Sequence, residues 1–416
     1  MTHLGTPVTA TPLTLTIVWH PSFAGGPVVA ETIAEWFEPL NASNLITGLR
    51  IPIRIRSEPE SGKAGEAPIA ISLDQADVNL VLVLGTAELI EAAKGPWQGF
   101  FQSLVDGMTR RGQRDTLMIA AFDDKSLELP ANIRFPEAMQ GLQALRTYQW
   151  PDRIVAMENG KWSAGPGLVR LAIMAADNIA YRLLLLEEKE KNPDVDDGDL
   201  RVPSQTLFLS HTKHDPNGVA LAEEIFKLIQ NNPYQLKIFL DAQDLRSGQN
   251  FWNQLSHAIA DASFLAIATD RYAGRPVCQF EILEAKRLRR PVFVAYLVEK
   301  GEDRSFPYAG NVPVRILPKK PSRAEIDLLL LDCCLEYLRS LSFRREAGGL
   351  KNRLTQGGAK VDVLSRKPEL SDMAKWNTMK PPPTVVLYPD PPLANHELKL
   401  ISALAGGIVF KTLSEG

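Results

Sequence analysis

The run Ser263-Phe264-Leu265-Ala266-Ile267-Ala268-Thr269 decides the fold. It carries no charge and no polar alternation, so it reads as a strand covered on both faces. A helix-spaced stretch, Gln279 to Leu288, follows it, and then a second strand of the same kind, Pro291 to Val298 (PVFVAYLV). Working upstream, Thr206 to Ser210 (TLFLS) is a short apolar run. Gly218 to Ile229 sets Val219, Ala222, Ile225, Phe226 and Ile229 at helical spacing, Leu236 to Leu240 (LKIFL) is a further strand, and Asn253 to Ala262 a helix. Downstream lie a short strand, Val312 to Leu317, and a closing helix, Arg323 to Leu341. Apolar strands alternating with amphipathic helices specify an α/β domain of flavodoxin-like, doubly wound type with a parallel sheet covered on both faces.

Outward from this core, residues 1–186 repeat the plan. Strands are expected at Leu13–Trp19, Ile51–Ile55, Val78–Leu84 and Thr116–Phe122, with helices at Val28–Phe37, Phe100–Arg111 and Gly167–Leu186. The two units are either related or two independent instances of a common pattern. Residues 187–200 read as an acidic linker, and residues 343–383, with Gly348, Gly349, Gly357, Gly358 and Pro381-Pro382-Pro383, as a Gly/basic/Pro linker. Residues 384–416 offer a strand-helix-strand fragment too short to bury both faces of its own sheet.

Composition narrows the function classes. With 416 residues, 45% hydrophobic and 23% charged, the chain is neither disordered nor fibrous. Forty-six Lys plus Arg against 49 Asp plus Glu give a formal charge of -3, so no global field draws nucleic acid or an anionic membrane, and neither is an expected partner. Cys278, Cys333 and Cys334 form no disulfide framework and no metal spacing. No stretch approaches the ~20 apolar residues of a membrane helix, and no basic region precedes the apolar run at Leu13. A cytoplasmic protein is expected.

In such a sheet the ligand crevice lies outside the carboxyl ends of the strands, where the loops read FLSHTKHD (208–215), FLDAQDLRSGQNFW (239–252), TDRY (269–272) and AGRPVCQFEILEAK (273–286). In this order and spacing the runs resemble the successive boxes of a Toll/interleukin receptor (TIR) domain of bacterial type. The resemblance covers about residues 201–342. It implies a five-stranded parallel sheet, a mobile loop, Asp241 to Phe251, after the second strand, and a family in which some members are signalling scaffolds and others cleave NAD+ at the nicotinamide–ribose bond. NAD+ is then a substrate, with no tightly bound cofactor and no metal.

The residue that separates those classes corresponds to Glu281, which would stabilise an electron-poor ribose. The plain alternative is a solvated helix glutamate paired with Lys286 or Arg289. By the same resemblance Ser210, His211 and Thr212 would line the first loop. Asp241, Asp244, Leu245 and Gly248 belong to the gating loop, and Cys278 would shape the wall. Relatives often carry an aromatic four residues before the glutamate, where Val277 stands here, so a ring would stack instead on Tyr272, Phe251 or Trp252. Trp252 alternatively packs its helix on the sheet. His211 and His214 beside Asp215 lack a third ligand and read as polar loop residues. Cys278 has no evident His partner and reads as packing.

Laying Pro96 on Pro276 sets Phe101 opposite Glu281, so the first unit reads as a degenerate TIR-like domain without the catalytic glutamate, suited to sensing, self-association or docking. The resulting expectation is an NAD+ glycohydrolase or cyclase that releases nicotinamide. It would be an effector in bacterial antiphage defence or signalling, acting through self-association and with a separate sensor protein. The alternative is a non-catalytic TIR scaffold or nucleotide-sensing module.

Overall fold

The structure, a computed structural model, describes residues 11–38, 51–59, 62–63, 65–127, 144–196, 199–202, 204–231, 236–240, 250–298, 309 and 311–415. They divide near Val202 into two compact units. No helix among the described residues is long and apolar enough to cross a membrane.

The first unit runs β1 (Thr11–Trp19), α1 (Gly26–Phe37), β2 (Ile53–Arg56), β3 (Ala76–Gly85), α2 (Ala87–Ala93), α3 (Gln98–Arg111), β4 (Thr116–Ala121), a hairpin of β5 (Val155–Glu158) and β6 (Lys161–Ala164), and α4 (Gly167–Lys191). The strands β2-β1-β3-β4 form one parallel sheet. Beyond β4, Leu145 makes a single parallel bridge to Ala120. Val18, Val81, Val83, Leu117 and Ile119 on one face of the sheet pack against Leu89, Trp97, Phe100, Phe101, Leu104, Val105 and Met108 of the α2–α3 region. The hairpin was not expected. Asn159 and Gly160 both hold positive φ, 51° and 74°, which is the requirement of a two-residue hairpin turn matched to strand twist. Helix α4 continues through the acidic stretch to Lys191, ending later than the compositional break at 187 suggests.

The second unit runs β7 (Thr206–His211), α5 (Pro216–Asn231), β8 (Lys237–Leu240), α6 (Phe251–Ala260), β9 (Ala262–Thr269), α7 (Pro276–Arg287), β10 (Val292–Leu297), β11 (Val314–Ile316), α8 (Arg323–Gln356), β12 (Val361–Val363), α9 (Leu370–Thr378), β13 (Val385–Leu387), α10 (Asn395–Leu404) and β14 (Val409–Lys411). The expected five-stranded parallel sheet is present, in the order β11-β10-β9-β7-β8. In each unit's sheet the first strand lies between the second and the third. The chain therefore winds away from that point in both directions, which opens a crevice at the strand ends.

The stretch read as a Gly/basic/Pro linker is ordered structure. Helix α8 does not stop near Leu341 but runs 34 residues to Gln356. Phe343, Ala347 and Leu350 continue its buried stripe and pack with Leu387, and this periodicity outweighs two helical glycines costing about 1 kcal/mol each. The remainder supplies β12 and α9, which complete a three-stranded parallel sheet, β12-β13-β14. The strand-helix-strand of residues 384–416 therefore has a core: Leu364, Met373, Trp376, Val386, Tyr388, Leu393, Ile408 and Phe410.

Candidate active site

Two strand ends and one helix build the site. Strand β7 delivers Ser210 and His211 at its carboxyl end, in register with Ala266 and Ile267 of β9. The loop after β9 carries Tyr272, whose amide donates to the Thr269 carbonyl at 2.9 Å. Helix α7 opens with Pro276 at its first position, where a missing N–H costs nothing. Cys278, Glu281, Ile282 and Ala285 then fall on its buried face at helical spacing.

On this frame Ser210 Oγ donates to Glu281 Oε2 at 2.5 Å and lies 2.7 Å from the Tyr272 hydroxyl. All three side chains are buried, Glu281 at 2% exposure. Burial pushes the Tyr272 phenol well above its ordinary value, with Glu281 and Cys278 adding to the rise. The phenol stays protonated and acts as a donor, so the chain runs from Tyr272 to Ser210 to Glu281. Cys278 is buried, with its Sγ 3.7 Å from the His211 carbonyl oxygen. Thr212 is buried, and its Oγ1 accepts from the His214 amide at 3.4 Å.

Several expectations change. Tyr272 is not a stacking platform, because it is 3% exposed and committed to Ser210. Asp215, read with the two histidines as a polar loop residue, caps α5 by accepting from the Asn217 and Gly218 amides at 3.0 and 3.3 Å. Trp252 does not pack α6 onto the sheet. It meets Phe280 of α7 edge-on at 4.7 Å and Phe251 at 5.2 Å, and is 44% exposed. Phe280 precedes Glu281 in sequence, so this aromatic cluster flanks the carboxylate's helix. Val277 joins the hydrophobic cluster beneath it. Asp241, Asp244, Leu245 and Gly248 lie outside the described residues. Among the described residues no group of three or more His, Cys, Asp or Glu could hold a metal ion.

The two cations named as alternative partners of Glu281 pair with other acids: Lys286 meets Glu369 at 3.0 Å and Arg289 meets Asp362 at 2.6 Å. Glu284 takes the local role instead. It accepts two 2.6 Å bonds from Arg287 and one from Ser256, and Arg287 holds its carboxyl below the ordinary value.

In the first unit α3 presents Phe100, Phe101, Leu104, Val105 and Met108 to its core. Pro96 precedes the N-cap Trp97, whereas Pro276 is the first residue of α7. Counting from the helix starts sets Ser103 opposite Glu281, in place of Phe101. Neither register supplies a carboxylate.

A family model described as TIR domain matches residues 207–329. No curated protein matches the chain. Among solved structures, a protein described as a phosphosugar isomerase from Silicibacter pomeroyi is 12% identical, covering 80% of this chain and 87% of its own, with a TM-score of 0.19. Tagatose-6-phosphate ketose/aldose isomerase from Escherichia coli is 11% identical, covering 87% and 86%, with a TM-score of 0.21.

Proposed function

From the premise that the chain carries a TIR domain across residues 207–329, we propose that it cleaves NAD+ at the nicotinamide–ribose bond. The observation that carries the reading is the placement of Glu281. It is a buried carboxylate on the helix after the third strand of the sheet, bonded to Ser210 at the end of the first. That is the point where the strand order reverses and ligands of α/β sheets bind.

In hydrolysis the C1′–N bond breaks and its electron pair leaves on nicotinamide, which thereby loses its pyridinium charge. Water adds to C1′ and releases one proton, giving ADP-ribose; in the cyclase variant a nitrogen of the same molecule adds instead. Glu281 serves the developing positive charge on the ribose, and a carboxylate shielded from water is worth more there than an exposed one. Ser210 holds it oriented until a ribose hydroxyl replaces the serine as donor. Trp252, exposed beside Phe280, supplies an aromatic face in place of the one missing at Val277. His211, Thr212 and Cys278 line the entrance by this reading, and self-association, a sensor partner, a cytoplasmic setting and a role in antiphage defence or signalling accompany it by family resemblance. The scaffold alternative draws on one observation, that Val277 leaves no ring four residues before the glutamate.

The test is nicotinamide release from NAD+ across a range of protein concentrations, for wild type and Glu281→Gln. Glutamine keeps an acceptor for Ser210 but loses the charge, so a rate loss of about 100-fold or more is expected with the fold intact. Equal rates, or no release by wild type at any concentration, overturn the proposal and leave the scaffold.

A further inference from the structure

Helix α7 runs at its end into the basic stretch Lys286-Arg287-Leu288-Arg289-Arg290, where Lys286 in its last turn and Arg289 just past it meet acids from the C-terminal three-stranded module. Lys286 is 2% exposed; its Nζ donates to Glu369 Oε1 at 3.0 Å and to Asn311 Oδ1 at 2.6 Å. Asn311 donates to the same Glu369 oxygen at 2.5 Å. Arg289 forks onto both oxygens of Asp362 at 2.6 Å each, and Trp376 Nε1 donates to one of them at 2.7 Å. Arg366 pairs with Asp372 at 2.6 Å and reaches the Lys286 carbonyl at 3.4 Å, which also accepts from the Arg289 amide at 3.0 Å.

The groups that meet are complementary. Two cations at the α7 end face three carboxylates, Asp362, Glu369 and Asp372, and Arg366 of the same segment lies 2.6 Å from Asp372 and 3.7 Å from Glu369. Arg289 also holds a φ of 57°, a left-handed conformation that a residue with a Cβ rarely adopts. A fork fixed on both sides, with Asp362 held by Trp376, keeps it there. An ammonium buried as deeply as that of Lys286 is tolerated only because it is paired and hydrogen-bonded.

We infer that residues 361–378 are a clamp on α7, and that Lys286 and Arg289 are positioning residues that fix the helix carrying Glu281. Lys286 follows Glu281 by five residues, about 7.5 Å along the helix axis. The two point to different faces: Glu281 toward the strand ends, Lys286 into the module. A helix pinned at its far end leaves the carboxylate little freedom to rotate off Ser210. The effect on turnover rests on the NAD+ reading above, whereas the clamp itself does not.

The experiment uses the full chain bearing Asp362→Asn with Glu369→Gln, two nearly isosteric changes that remove charge from the module and leave the catalytic residues in place. Amide hydrogen exchange over residues 276–290 is expected to quicken at least tenfold, with β7 and β9 unchanged, and kcat for nicotinamide release to fall while KM holds. A merely structural role would quicken exchange throughout the unit. Unchanged exchange in α7 overturns the clamp, and quickened exchange with unchanged kcat overturns the positioning role. Wild-type protein that releases no nicotinamide refutes the NAD+ reading instead, and exchange at Glu281 itself then decides the inference. Should the double variant not fold, Asp362→Asn alone is judged by the same criteria.

Discussion

Replacing Ser210 by alanine probes the centre of the Tyr272–Ser210–Glu281 chain. The hydroxyl is 1% exposed, so water does not replace it. Glu281 Oε2 loses a 2.5 Å donor and the Tyr272 hydroxyl loses its 2.7 Å partner. A hydrogen bond to a charged group contributes about 1.5–3 kcal/mol, and a buried hydroxyl left unpaired costs about 1–3 kcal/mol. Ser210→Ala should therefore destabilise the second unit by about 4 kcal/mol, which lowers its melting midpoint by roughly 8–16 °C in a unit of this size. Tyr272→Phe removes only the terminal donor and leaves the serine on the carboxylate, so its cost should be near 1 kcal/mol. The double variant should cost less than the two singles together, because removing the phenol also removes the orphan that Ser210→Ala creates. Thermal unfolding followed in all four proteins checks this. A Tyr272→Phe loss equal to that of Ser210→Ala would falsify the assigned direction of the chain, and simple additivity would show that the three groups do not act together.

Two further outcomes follow from particular side chains. Burial in α4 pushes the Asp177 carboxyl from 3.8 up to about 6, so the folded first unit prefers it protonated. That preference carries no penalty below pH 3.8 and becomes a cost as pH rises through about 6, reaching at most about 3 kcal/mol. Asp177→Asn should accordingly raise the first unit's stability at pH 7.5 and do little near pH 4; an advantage of equal size at both pH values would remove the buried carboxyl as its cause. Trp252→Ala should raise KM for NAD+ by roughly tenfold, since stacking of one base on an aromatic is worth about 1–3 kcal/mol, with kcat little changed. An unchanged KM would leave Trp252 as helix packing against Phe280.

How far the sequence discloses these features depends on the range of the contact. The buried strands β9 and β10 were legible because two-faced burial writes itself as an uninterrupted apolar run. Glu281 was legible because its neighbours stand in a recognisable order. The partners were not: Ser210 reaches Glu281 across 71 positions and Tyr272 across 62. Lys286 and Arg289 lie within three turns of Glu281 and so looked like its natural partners, yet their acids lie 83 and 73 positions away. The Gly/basic character of residues 343–360 hid a stripe of only three side chains, Phe343, Ala347 and Leu350. The Asn159-Gly160 pair is a readable signal, suited to positive φ, but strands of only four residues on either side give little periodicity to support it.

The two sheets share one winding, and the difference between them sits on one helix. In the second unit the helix after the third strand buries a carboxylate among the strand-end hydroxyls. In the first, α3 buries Phe100, Phe101, Leu104, Val105 and Met108, with Trp97 at its N-cap fully enclosed. Phe101 and Ser103, the residues set opposite Glu281 by the two registers, carry no carboxylate, and the buried face of α3 is apolar. The common winding alone does not assign a common activity, because a crevice acquires chemistry only from the side chains that line it. The proposed NAD+ cleavage therefore rests on α7, and not on the first unit. The loss of turnover on Glu281→Gln should be as complete in the whole chain as the chemistry of a single carboxylate allows.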